Sequence, residues 1–202
     1  MTGSRLDPWI DSYAARAMGM TASEIRALFA VASRPEVVSL AGGMPYVDAL
    51  PMEAIADTVQ RLLLTRGSVA LQYGNGQGDQ TLREQILEVM APVGVSAHPD
   101  DVVVTAGSQM ALDLVTRVFC DPDDVVLVEA PSYVGALGVF RAYQVDVRHV
   151  AMDANGLVPE ALEEALAACR AEGRRVKFIY TIPNFHNPAG VTQDQSRREQ
   201  VL

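Results

Sequence analysis

The sequence predicts an α/β fold built on a mainly parallel sheet, and two observations carry that prediction. From residue 102 onward, short runs rich in Val, Ile and Leu alternate with longer segments of helical periodicity. Each apolar run also ends in a cluster of Gly, Pro, Ser or Asn, the punctuation of a strand passing into a loop. Such alternation means βαβ units, because parallel strands need a crossover that a helix supplies. With 202 residues, 49% of them hydrophobic and 20% charged, the composition is that of a globular protein with a sizeable core.

The elements follow in order. Residues 21–33, "TASEIRALFAVAS", predict a helix: Thr21 and Glu24 have capping-box spacing, and Ile25, Leu28, Phe29 and Ala32 form one apolar face that leaves Arg26 elsewhere. Residues 37–45, "VVSLAGGMP", predict a short strand breaking into a Gly-Gly-x-Pro turn. Residues 52–67 are amphipathic, with Ile55, Val59, Leu62 and Leu63 inward and Gly67 as the stop. "LQYGNGQGDQTLREQILEVM" (71–90) is a glycine-rich loop running into a helix that Asp79 can cap. The regular part then reads strand "VVVTAG", helix "SQMALDLVTRVF", strand "VVLVEAP" (125–131) and helix "SYVGALGVFRAY". A strand over 145–152, a helix opened by Pro159 and a strand over 176–183 complete it. The final stretch, "TQDQSRREQVL", begins a further helix.

Several function classes are excluded by composition and spacing. No apolar run approaches the ~18 residues of a membrane span. The N-terminus lacks the basic and apolar regions of a secretory signal. A net charge of −9 and a pI near 4.7 argue against a nucleic-acid surface. Cys120 and Cys169 have no CxxC spacing and read as reduced thiols, which suits the cytoplasm. His98, His149 and His186 have no metal-ligand spacing, so no metal site is expected, and no GxSxG elbow is present.

In an open parallel sheet, ligands sit beyond the carboxyl ends of the strands. Four loops reach that region or are too polar for a core. "TAGSQMAL" (105–112) passes from strand through Gly107 and Ser108 into a helix, whose first N–H groups suit a phosphate; the same turn is also a common connection. "EAPSYVGA" (129–136) places Tyr133 at a helix start, either as packing or to stack on a planar ring. "QYGNGQG" (72–78) is a polar glycine loop. "PNFHNPAG" (183–190) presents Asn187 on a Pro- and Gly-fixed turn, either to donate to an anionic oxygen or as a structural device.

In this order and spacing, "SLAGGMP", "LQYGNGQGDQTLREQI", "TAGSQMALDLV", "VLVEAPSYVGAL" and "IPNFHNPAGVT" resemble the fold-type I pyridoxal-phosphate aminotransferases, nearest the branch of the 2-aminoadipate and kynurenine aminotransferases. The resemblance implies an aminotransferase-like large domain with helices on both faces of its sheet, preceded by an N-terminal arm. Residues 1–50 would form the arm and part of a small domain, and 51–202 the first part of the cofactor-binding domain. It implies pyridoxal 5'-phosphate as cofactor, amino acid and 2-oxo acid as substrates, and a homodimer with shared sites. Gly107, Ser108 and Gln109 would hold the cofactor phosphate and Tyr133 would stack on its ring. Asn187 would donate to the 3'-oxygen and approach the substrate carboxylate, and Tyr73 would reach the phosphate of the other subunit. Gly43 would lie against substrate, and Arg26 would pair with an acidic substrate side chain.

The resemblance also exposes a departure. The family's internal-aldimine lysine, its Asp-x-x-Tyr and its carboxylate-clamping arginine all lie beyond Asn-Pro-x-Gly, and the sequence ends at Leu202 before any of them. The expectation is therefore the N-terminal portion of an aminotransferase, incomplete at the C-terminus and inactive alone. The alternative is a non-catalytic, ligand-sensing module of the same fold. Lys177, the sole lysine, begins a strand on the wrong side of the sheet for a Schiff-base role.

Overall fold

The computed structural model describes residues 9–18, 34, 36–38 and 46–202. The expected 21–33 helix with Arg26, and most of the expected 37–45 strand with Gly43, lie outside the described residues. The chain divides into two units, Met1–Thr21 with Ala106–Leu202, and Ala22–Thr105. No helix among the described residues is long and apolar enough to cross a membrane.

The larger unit is a sheet with helices on both faces. Its strands are β1 (Val125–Ala130), β2 (Asp146–Asp153), β3 (Gly156–Leu157) and β4 (Val176–Tyr180), in the order β3-β2-β1-β4. β1 runs parallel to β2 and β4, whereas β2 and β3 form a short antiparallel hairpin. Helix α1 (Ala15–Met18) precedes them. After the smaller unit come α4 (Ser108–Phe119), α5 (Val134–Ala142), α6 (Pro159–Ala171) and α7 (Gln195–Val201).

β1 is the central strand, and residues 125–128 are 0% exposed. A strand alternates its side chains between the two faces, and β1 is apolar on both because both are covered. Val125 and Leu127 pack with Val150, Leu157, Leu162 and Cys169 on the face that α6 covers. Val126 and Val128 pack with Ala136 and Phe140 on the face that α5 covers. Phe140 meets Phe178 and Tyr180 edge-on, with both ring centroids at 5.8 Å. Both cysteines are free thiols, and Cys169 is buried in the first cluster.

The smaller unit holds α2 (Met52–Ala70) and α3 (Gln80–Met90). Asp79 caps α3 as expected, accepting from the Leu82 amide at 3.1 Å. Arg83 is nearly buried and donates to the Pro99 carbonyl (2.7 Å) and Asp100 (3.2 Å), which ties α3 to the turn at Pro99–Asp101.

The structure departs from the sequence expectation most clearly at three places. Residues 102–105 are not a strand: Val104 donates to the Gln77 carbonyl, and no strand among the described residues forms a ladder with them. Gly67 does not stop α2, which kinks at Arg66 (φ −139°, ψ 21°) and runs on to Ala70. A glycine ends a helix by taking positive φ, and Gly67 does not. β4 ends at Tyr180 rather than 183, because its last pairing with β1 is Val128 with Tyr180.

Candidate functional site

β1 and β4 are parallel, so the loops that leave them emerge at one sheet edge. α4 starts with Gly107 as its N-cap, at φ 80° and ψ 165°, a conformation that favours glycine. A glycine N-cap has no side chain of its own to cap the helix. The amides of Ser108 and Gln109 and the exposed Ser108 hydroxyl lie at the positive end of the helix dipole.

Ser108 opens onto a cleft of about 510 Å³ whose other walls include Leu112, Tyr133, Phe178, Tyr180 and Ile182. The cleft thus joins a helix N-terminus to an apolar, aromatic wall. Burial raises the Tyr180 hydroxyl above its usual range, with Tyr133 and Glu129 adding to the effect. Tyr180 remains a neutral O–H donor near neutral pH.

Gln109 donates its side-chain amide to the Gly135 carbonyl at 3.1 Å, tying the start of α4 to the first turn of α5. Tyr133 is the N-cap residue of α5, and its ring folds back over Gly135. A β-carbon on Gly135 would meet the ring at 2.5 Å and the hydroxyl oxygen at 2.6 Å. The bare glycine is what lets the ring lie there.

Of the sequence-predicted residues, the structure brings Gly107, Ser108, Gln109 and Tyr133 to one place. Asn187 sits on the turn beyond β4 at the same sheet edge, exposed, and outside the cleft wall. Tyr73 belongs to the smaller unit, where its fully exposed side chain borders a cavity of about 750 Å³ with Arg66, Asn75 and Arg83. Lys177 lies toward the opposite end of β4 and pairs with Asp124 at 3.0 Å. The Asp121 amide and then Lys177 hold the Asp124 carboxyl below its usual range.

Two residues escaped the sequence reading. Glu129, at the end of β1, is 1% exposed and accepts from the Thr181 hydroxyl and the Ile182 amide, both at 2.8 Å. Its Oε2 lies 3.1 Å from Nε2 of buried His186. The approach is off the axis of a good hydrogen bond, so this contact is chiefly electrostatic. The signal was available: a carboxylate that closes a wholly buried apolar strand requires donors.

Residues 35–202 match the family described as aminotransferase class I and II. The chain belongs to that family. It is 40% identical to the aromatic-amino-acid aminotransferase 1 of Thermococcus litoralis over 94% of its own length and 46% of that relative. It superposes on the kynurenine aminotransferase of Pyrococcus horikoshii, solved in complex with PMP, at a TM-score of 0.85 and 39% identity, covering 93% of this chain and 46% of that one. The α-aminoadipate aminotransferase of Thermus thermophilus, complexed with N-(5'-phosphopyridoxyl)-L-leucine, gives 0.81 and 37%, covering 96% and 46%. The chain spans about half the length of the relatives it matches.

The Tyr133 contact gives a direct prediction for this class I and II family member. Gly135 lies in a helix, so alanine is tolerated by the backbone, but its methyl displaces the Tyr133 ring. A crystal structure of Gly135→Ala is expected to show the ring turned off residue 135. A ring left in place over the new methyl contradicts the packing described.

Proposed function

We propose that this chain is the N-terminal part of a pyridoxal-phosphate-dependent aminotransferase, which moves an amino group between an amino acid and a 2-oxo acid. The observation that carries the reading is the start of α4 at Gly107–Ser108, opening on the cleft that Tyr133 walls. These residues fit the cofactor: the N–H groups of a helix start, a hydroxyl and a helix dipole suit a phosphate, and an aromatic side chain suits a flat ring. The relatives solved with PMP and with a phosphopyridoxyl ligand support the assignment.

In this reading, Ser108 and the amides of Ser108 and Gln109 bind and orient the phosphate, and Gly107 supplies the backbone turn that aims them. Gln109 also holds the Tyr133 turn through Gly135. Tyr133 lies against the ring and excludes water from it. Asn187 donates its amide to the 3'-oxygen and approaches the substrate carboxylate. Tyr73 serves the partner subunit's phosphate in a homodimer, while Arg26 and Gly43 meet the substrate. When bound, pyridoxal phosphate supplies an electron sink and a carrier for the amino group. Residues 1–50 are assigned to the arm and part of the small domain, and 51–202 to the cofactor domain. The free thiols suit the cytoplasm.

The sole lysine is engaged with Asp124, away from the cleft. The residue that must bond the cofactor covalently therefore has no candidate in this chain. The 202-residue chain alone is expected to show no transamination between an amino acid and 2-oxoglutarate; turnover by pure material contradicts this.

The binding role of Ser108 is tested in the intact protein by titrating pyridoxal phosphate and following its absorbance. Ser108→Ala removes one hydrogen bond to a charged group, about 1.5–3 kcal/mol, or roughly 10- to 100-fold in Kd. An unchanged Kd contradicts the assignment.

A further inference from the structure

Behind the Asn187 turn the side chains of Glu129 and His186, each 1% exposed, meet at 3.1 Å. The imidazole tautomer follows from its partners. His186 Nδ1 accepts from the Ala189 amide at 3.2 Å, so the ring proton resides on Nε2, facing the Glu129 carboxylate. The imidazole thus bridges the end of β1 and the backbone two residues beyond Asn187.

The same histidine closes the turn through its main chain. Its amide donates to Val191 (2.8 Å), and its carbonyl accepts from Gly190 (2.6 Å). On the near side, Phe185 sits at φ 48°, a costly conformation for a bulky residue, and its amide donates to the Thr192 hydroxyl at 3.0 Å. Glu129 fixes the strand that delivers the turn by binding Thr181 and Ile182, where the β1–β4 ladder has ended. Asn187 is therefore the exposed apex of a loop clamped on both flanks.

Filling the space behind a loop does not require this chemistry. Burying a carboxylate and an imidazole carries a desolvation penalty, and well-packed apolar side chains often serve stability equally well. What an apolar side chain lacks is polarity: it offers no acceptor to Ala189 and no N–H dipole to face the Glu129 carboxylate. We propose that Glu129 and His186 form a positioning pair that sets the orientation of the Asn187 carboxamide toward the cofactor. The proposal rests on the reading of Asn187 as a cofactor donor. Both residues act through Asn187, and neither touches the cofactor.

The test is a double-mutant cycle in the intact protein, read as the Kd for pyridoxal phosphate, with thermal unfolding as a control for folding. His186→Leu is expected to weaken binding about tenfold or more, as loss of a supporting hydrogen-bond partner does at other ligand sites. His186→Gln keeps an acceptor toward Ala189 and a donor toward Glu129, and is expected to stay within about threefold of wild type. If positioning is the role, the effect of His186→Leu disappears in an Asn187→Ala background, because the group being aimed is gone. Should His186→Leu not fold, Glu129→Gln enters the same cycle, with the same expected loss and the same non-additivity. Additive effects, or wild-type binding by the folded variant, overturn the positioning role while leaving Asn187 as a donor. Wild-type binding by Asn187→Ala overturns the donor reading and the positioning role with it.

Discussion

The burial of β1 is the constraint on which the rest of the larger unit depends. A strand whose residues 125–128 are shut off from water must be covered on both faces, and that requirement recruits α5 to one side and α6 to the other. At about 25 cal/mol per Å² of apolar surface removed from water, such two-sided burial is a leading source of stability. It also fixes the strand's direction and depth, and with them the point at which the apolar run ends. At that point stands Glu129, and the chemistry of the sheet edge begins with it.

A parallel sheet leaves unpaired backbone groups where its strands stop, and this protein meets them with side chains. Glu129 takes the Ile182 amide that no strand can pair, and His186 links that carboxylate to the turn at Asn187. Gln109 plays a similar part on the other side of the cleft, joining α4 to the Tyr133 turn. The surface ion pairs are of a different kind. Arg148 reaches Asp146 and Glu172 at 3.1 and 2.5 Å, and Arg197 binds Asp153 and the Leu157 carbonyl. They pin helices and the β2–β3 hairpin from outside, where solvent weakens their contribution.

Much of this was legible in the residues. The α4 span was read in full because Gly107 and an apolar periodicity bracket it, and Asp79 was read as a cap because its spacing permits little else. The strands of the core were placed to within a few residues, since two-sided burial writes a continuous apolar run. Less legible were features that depend on partners distant in sequence. Residues 102–105 carry β-branched side chains in the pattern of a strand, yet strand formation needs a neighbour to pair with, and composition does not reveal one. The two-residue β3 follows the turn at Ala154–Asn155 and is too short to leave a periodicity. Glu129 and His186 are separated by 57 positions in the numbering, and only the parallel pairing of β1 with β4 brings them together. Ser108 and Tyr133, by contrast, were each legible from local loop chemistry, and their meeting in one cleft follows from the order of strands and helices.

The central claim is that the start of α4 and the Tyr133 wall together hold pyridoxal phosphate. It is tested most directly by a crystal structure of the intact protein with the cofactor bound. The expected result is a phosphate oxygen within about 3 Å of the Ser108 or Gln109 amide, with the Tyr133 ring against the pyridine. A cofactor whose phosphate lies away from Gly107–Gln109 would contradict it.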